Sequence, residues 1–191
     1  MFTGIPRMTL YTPSEWLADI VRQSFLGTYP VKVMPNPVDK QVFTHRSSNF
    51  REKHQLCDKK IVLGVANAWQ RSKGLYDFYE LANRLDASYQ VVLVGLTDKQ
   101  KEMLPERVLG LGKTNNAVEL AEIYSAADIF VNPSVEETFG MTAYEAALCG
   151  TPIIVYAGTA CEEVARMYHG YVIESNVDAL YQRIISMELR K

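Results

Sequence analysis

Two carboxylates, Glu137 and Glu145, stand out in the stretch Asn132 to Pro152, with seven residues between them. The stretch follows a short apolar run, Ile129-Phe130-Val131, and precedes another, Ile153-Ile154-Val155. It therefore reads as the connection of a βα unit, a loop and then a helix. Glu137 falls in the loop and Glu145 in the first turn of the helix. Between them, Phe139-Gly140-Met141-Thr142 turns the backbone into the helix. Gly140 permits a tight turn and a close approach of main chain to a ligand. The first N–H groups of the helix would then point out of the strand end, a favourable place for an anion. A plainer reading stays open: Thr142-Ala-Tyr-Glu145 also fits a capping box, and Glu136 with Glu137 fits a solvated acidic loop.

Arg71 and Lys73 precede a second helix, beginning near Gly74. Cations at a helix start are locally unfavourable, and a bound anion would reverse the sign. A diphosphate between them and the amides near Met141 would be well neutralised; the alternative is a solvated basic loop. Other motifs fall short. Gly110-Leu-Gly112-Lys113-Thr114 imitates the end of a P-loop, but the first glycine of that pattern is replaced by Arg107. No G-x-G-x-x-G follows a strand. His45, His54 and His169 are scattered, and Ser134 lacks a G-x-S-x-G elbow. Trp69, Phe139 and Tyr156 fit a pocket lining or the core equally.

The elements that must position these residues alternate. Strands are expected at Met8–Tyr11, Val31–Met34, Lys60–Val65, Gln90–Val94, Val108–Leu111, Ile129–Val131, Ile153–Val155 and Tyr171–Ile173. Helices are expected after Ser14, with Trp16, Leu17, Ile20, Val21 and Phe25 on the apolar side, and over Gly74–Leu85, Asp98–Leu104, Asn116–Ala126, Cys161–Met167 and Asp178–Leu189. Asn116-Ala-Val-Glu119 resembles a capping box. Pro35-Asn36-Pro37 stiffens the chain and marks a hinge, and residues 40–58 read as loop with one short helix. The sum is an α/β, Rossmann-like parallel sheet flanked by helices, with ligands at the carboxyl ends of the strands.

Composition narrows the function. At 191 residues, 48% hydrophobic and 22% charged, the chain can bury a core of useful size. A net charge of −2 argues against a nucleic-acid partner. Cys57, Cys149 and Cys161 show no CxxC spacing, so neither a metal site nor a disulfide framework is expected, and a reducing cytosol is the simpler setting. The start MFTGIPRMTL lacks the pattern of a signal peptide, and no apolar run reaches the ~18 residues of a membrane span.

Glu137-Thr-Phe-Gly-Met-Thr-Ala-Tyr-Glu145, continuing Ala-Ala-Leu-Cys-Gly-Thr-Pro, resembles the E-x7-E signature of retaining glycosyltransferases of the GT-B fold, family 4. Ser125-Ala-Ala-Asp128 through Pro133-Ser134, Lys73-Gly74, and Pro35-Asn36-Pro37-Val38-Asp39 with Phe43 resemble further elements of that family, in its order. The resemblance runs from about residue 9 to the C-terminus. It implies the C-terminal, donor-binding half of a GT-B fold over residues 35–191. Residues 1–34 would be the last strand-helix-strand of an N-terminal acceptor domain, making the chain a C-terminal fragment with little transfer activity alone. Their apolar surface would favour self-association.

The resemblance also implies roles. Glu137 would hold hydroxyls of the donor sugar and Glu145 the ribose. Backbone groups at Thr138, Phe139, Gly140, Met141 and Thr142 would contact sugar and diphosphate. Lys73 would bind the diphosphate. The family's usual arginine, about five residues before that lysine, is absent, since the region reads Val65-Ala-Asn67-Ala68; Arg71 is expected to substitute. The loop from Gly112 to Thr114 would edge the base. The implied reaction moves a sugar from a UDP- or GDP-linked donor to a glycan or lipid-linked acceptor, with retention, without metal or cofactor, in polysaccharide biosynthesis. The implied setting is the cytoplasm or the inner membrane face. Two rivals are another GT-B nucleotide-sugar enzyme, an epimerase or phosphorylase, and a non-enzymatic binding module.

Overall fold

The computed structural model describes residues 4–187. Strands β1 (Leu10–Thr12) and β2 (Val31–Val33) flank helix α1 (Glu15–Arg22) and pair in parallel, Leu10 opposite Val31. They form a two-stranded sheet of their own. Helix α2 (Phe50–Lys53) follows, and then β3 (Lys60–Val65), α3 (Leu75–Arg84), β4 (Tyr89–Val94), α4 (Asp98–Glu102), β5 (Val108–Leu111) and α5 (Ala117–Ala126). The chain continues through β6 (Ile129–Asn132), α6 (Met141–Leu148), β7 (Ile153–Tyr156), α7 (Cys161–Met167), β8 (Tyr171–Ile173) and α8 (Val177–Ile185). One turn of 3-10 helix, Arg71–Lys73, leads into α3.

The second sheet has six parallel strands in the order β5-β4-β3-β6-β7-β8. Its central strands are apolar on both faces because helices cover both. Ile61, Leu63 and Phe130 meet α5, α6 and α7 on one face. Val62, Leu93 and Val131 meet α3 and α8 on the other. The order reverses between β3 and β6, so the loops leaving those two strands diverge and open a crevice at their carboxyl ends. No helix among the described residues is long and apolar enough to cross a membrane.

The expected α/β fold is present, with local corrections. The first strand lies at Leu10–Thr12 rather than Met8–Tyr11. Ser14 does cap α1, but the helix stops at Arg22, so Phe25 falls beyond it, 67% exposed, and Ile20 is 46% exposed. Residues 40–58 lack a periodic apolar stripe, yet Phe43, Phe50 and Leu56 are buried against the main core. Isolated anchors on irregular backbone leave no period to read. Asn116 caps α5, but Glu119 accepts from Asn115 rather than closing a box on Asn116. The last helix ends at Ile185, because Ser186 caps it and Met187 has already left it; the remainder of the expected run to Leu189 lies outside the described residues.

Candidate functional site

The crevice between β3 and β6 holds a cavity of about 320 Å³. Two helix starts border it, and both are built on glycine. Gly74 caps α3 with φ +71, and a Cβ there would lie 2.4 Å from Pro133 in the loop after β6. Gly140 caps α6 with φ +87, and its Cβ would lie 2.5 Å from Cys161 Sγ. Only glycine meets both the backbone angle and the spacing. Neither cap residue supplies a side-chain acceptor; at α6, Met141 and Thr142 line the cavity, so the first amides of that helix remain available to a ligand.

This geometry removes the capping-box reading of Thr142 and Glu145. Thr142 is already inside α6, and Glu145 lies in its second turn, not its first. The Glu145 carboxylate instead accepts from the Tyr124 hydroxyl on α5, at 3.0 Å. Burial raises the Glu145 carboxyl above its ordinary value, and the Tyr124 hydrogen bond opposes that shift. Tyr124 is completely buried, which raises its phenol strongly.

The loop after β6 places Glu137 at the mouth. Lys73 Nζ donates to Glu137 Oε1 at 2.6 Å and to the Glu136 carbonyl at 3.3 Å. Ser134 Oγ donates to the same Glu137 oxygen at 3.4 Å. The side chains of Lys73 and Glu137 are 26% and 19% exposed, so the pair is reachable yet only partly screened. Asn132, at the end of β6, fixes the loop's start: its Oδ1 accepts from Ser134 N at 3.1 Å and its Nδ2 donates to Cys161 Sγ at 3.4 Å. Burial, with the Glu137 charge nearby, pushes the Cys161 thiol up to about 12, so it remains a neutral packing group.

The structure thus gathers Lys73, Glu137, Thr138, Phe139, Gly140, Met141 and Thr142 around one cavity. Arg71 does not join them. It is exposed on the 3-10 turn, and Asn67 and Ala68 line the cavity where a basic residue was sought. Gly112 and Thr114 line a neighbouring cavity of about 250 Å³ with Phe50 and His54, where burial lowers the imidazole. Lys113 Nζ donates to Asn67 Oδ1 at 2.8 Å and bridges the two. Glu145 lines neither cavity. Of the three aromatics, Trp69 and Phe139 border the cleft while largely buried, and Tyr156 is core, its hydroxyl donating to Asp77. A larger cavity, about 1040 Å³, lies at the amino ends of the strands among Lys60, Asp128 and Pro152, away from both helix starts.

Asn67, Tyr124, Asn132 and Cys161 escaped sequence reasoning. Tyr124 and Glu145 are 21 residues apart on different helices, and no spacing rule joins them. Asn132 carried a weak signal, being a polar residue at the end of an apolar strand.

Known proteins place this geometry. The chain is 32% identical over 167 residues to D-inositol 3-phosphate glycosyltransferase of Arthrobacter sp. (strain FB24), covering 79% of this chain and 39% of that protein. It therefore spans about two fifths of that relative's length. Sucrose-phosphate synthase from Thermosynechococcus elongatus superposes with a TM-score of 0.78 at 23% identity, over 93% of this chain and 49% of that one. HepE of Anabaena, in complex with UDP-glucose, superposes with a TM-score of 0.76 at 20% identity, over 92% and 52%. These likenesses establish the GT-B C-terminal, Rossmann-like fold. The family model of glycosyl transferases group 1 matches residues 46–191, and with most of its length covered the chain belongs to that family.

Proposed function

We propose that the protein binds a nucleoside-diphosphate sugar in the cleft between β3 and β6 and serves as the donor-binding part of a retaining glycosyltransferase of family 4. The observation that carries this reading is the Lys73–Glu137 pair, 2.6 Å apart, set between two helix starts that lack side-chain caps. The diphosphate takes Lys73 and the amides at Met141 and Thr142. Glu137, released from the lysine, accepts hydroxyls of the sugar. The ribose is assigned to Glu145, which stands outside the cavity lining with one oxygen held by Tyr124. Charge developing on the leaving diphosphate is met by groups already in place, which lowers the barrier without reorganisation. Lys73 and the start of α6 are the groups we assign to that charge, in a reaction without metal. Arg71, exposed and outside the cavity lining, steers the anion rather than touching it.

The HepE structure holds UDP-glucose, and the likeness makes a UDP-sugar the first donor to test. The acceptor, a glycan or lipid-linked saccharide in polysaccharide assembly, belongs to a further domain of which β1, α1 and β2 form part. The setting is the cytoplasm or the inner face of the membrane.

A thermal-shift panel with UDP, GDP, ADP and their sugar conjugates tests the reading. A ligand at 100 times its dissociation constant adds about 2.7 kcal/mol of stability. One diphosphate is expected to shift the wild type, and Lys73→Ala is expected to weaken that ligand by at least about tenfold, the scale of a lost charge-assisted contact. A flat response to every nucleotide would overturn the proposal.

A further inference from the structure

Three successive carbonyls of the Glu137 loop are each held by a different part of the chain. The Glu136 carbonyl accepts from Lys73 Nζ at 3.3 Å. The Glu137 carbonyl accepts from Ala160 N, at the start of α7, at 3.2 Å. The Thr138 carbonyl accepts from Ser14 Oγ at 2.7 Å, across 124 residues of sequence. The shortest of the three therefore comes from the two-stranded unit.

Ser14 is 1% exposed. Its hydroxyl oxygen also accepts from Leu17 N at 3.1 Å, which alone caps α1. The donation to Thr138 is thus additional to capping. The first two amides of α1 are taken by the loop's other neighbour: Glu15 N and Trp16 N donate to the Glu163 carboxylate on α7, at 3.2 and 2.7 Å. A carboxylate facing a helix start makes charge-assisted contacts. The same helix α7 begins at Ala160 and Cys161, which hold the Glu137 carbonyl and pack against Gly140. α1, α7 and the loop form one hydrogen-bonded unit around the Glu137 backbone.

We propose that Ser14 and Glu163 are positioning residues: the first turn of α1 clamps the Thr138 carbonyl and so sets where the Glu137 carboxylate stands. The two-stranded unit thereby tunes the hold on the transferred sugar and leaves the diphosphate contacts unchanged. That Glu137 faces a sugar rests on the function proposed above.

Four variants of the whole chain separate the clamp from the cap. Ser14→Thr keeps both acceptor and donor. Ser14→Asp keeps the cap but has no proton to donate. Ser14→Gly lacks the donor and, as an N-cap, costs little. Glu163→Gln weakens the α7 contact. The first readout is amide hydrogen exchange, by NMR and without ligand, at Val135 and Ala160, whose amides donate to Ser72 and to the Glu137 carbonyl. Ser14→Asp and Ser14→Gly are expected to exchange about fivefold faster at Ala160, the factor of one ordinary hydrogen bond. Ser14→Thr should match the wild type, and Glu163→Gln should speed the Trp16 amide. The second readout is the affinity ratio of UDP-glucose to UDP, or of GDP-mannose to GDP, which should fall about as much while the affinity for the bare diphosphate holds. Wild-type behaviour of both Ser14→Asp and Ser14→Gly would reduce Ser14 to a cap and overturn the clamp. Equal acceleration of amides throughout β3 and β4 would also overturn it, as general destabilisation. Should the wild type bind no nucleoside diphosphate, the function fails, and the exchange data still decide the clamp.

Discussion

In the six-stranded sheet Ile61, Leu63, Phe130 and Ile154 are at most 1% exposed, whereas the two-stranded unit leaves Tyr11, in the middle of β1, 59% exposed and Met34, just past β2, 62% exposed. Both sheets are parallel and both use βαβ units, yet they are held differently. The large sheet is covered on both faces and draws its stability from apolar burial. The small one has strands of three residues each, too short to stand alone. Its buried residues among 4–34 are Thr12, Ser14 and Ala18, and it attaches through Ser14 and Glu163. Directional bonds to a loop transmit position, while apolar burial transmits mainly stability. The scaffold of the site is therefore the large sheet, and the small sheet acts on the site through a few polar contacts.

The contrast is broken most severely in the large sheet. Phe130→Ala removes a ring that meets Tyr124 edge-on, with centroids 5.6 Å apart, and is expected to cost about 3–5 kcal/mol in chemical denaturation. A cost under about 1 kcal/mol would mean that this core can collapse around the cavity.

Tyr124→Phe sharpens the comparison, because Tyr124 is a polar tether inside the apolar core. At pH 7 it is expected to cost about 1–2 kcal/mol, since the half-buried Glu145 carboxylate loses its donor. The sign with pH follows from the raised Glu145 carboxyl. The folded state holds that proton more tightly than the unfolded chain, so this group's contribution is present at low pH and lost as pH rises through the folded value. The hydroxyl of Tyr124 offsets the loss by stabilising the charged form. The deficit of the variant should therefore shrink as pH falls toward about 4, near the ordinary glutamate value. Melting curves across pH check this, and a deficit that grows in acid would reverse the assignment.

The smallest effect belongs to the small sheet's outer face. Phe25→Ser is expected to change stability by no more than about 0.5 kcal/mol, because the ring is 67% exposed. A stability cost above about 2 kcal/mol would show a core in the small unit, on the scale of burying an apolar side chain.

Much of the large sheet was legible in the sequence. Lys60–Val65 falls where its apolar run places it, because a central strand covered on both faces needs unbroken apolar sequence; the edge strands Val108–Leu111 and Tyr171–Ile173, only partly buried, also fall on their apolar runs. The Glu137 loop and the Gly140 turn were legible for a related reason, as a glycine between a strand and a helix has few other uses. Phe43, Phe50 and Leu56 were not, because single anchors carry no period.

By itself, then, the sequence determined the alternation of strands and helices and the proximity of Glu137 to a glycine-capped helix start, because these rest on contacts between near neighbours. Tertiary structure decided the rest. It brought Lys73 to Glu137 across 64 residues, gave Glu145 to Tyr124 rather than to its own helix end, left Arg71 outside the cavity, and set Ser14 on the Thr138 carbonyl. The Lys73–Glu137 pair depends on which loops leave the same end of the sheet, the Tyr124–Glu145 bond on which helices share a face, and the Ser14 contact on how the small unit docks; strand order and packing, not local sequence, fix these.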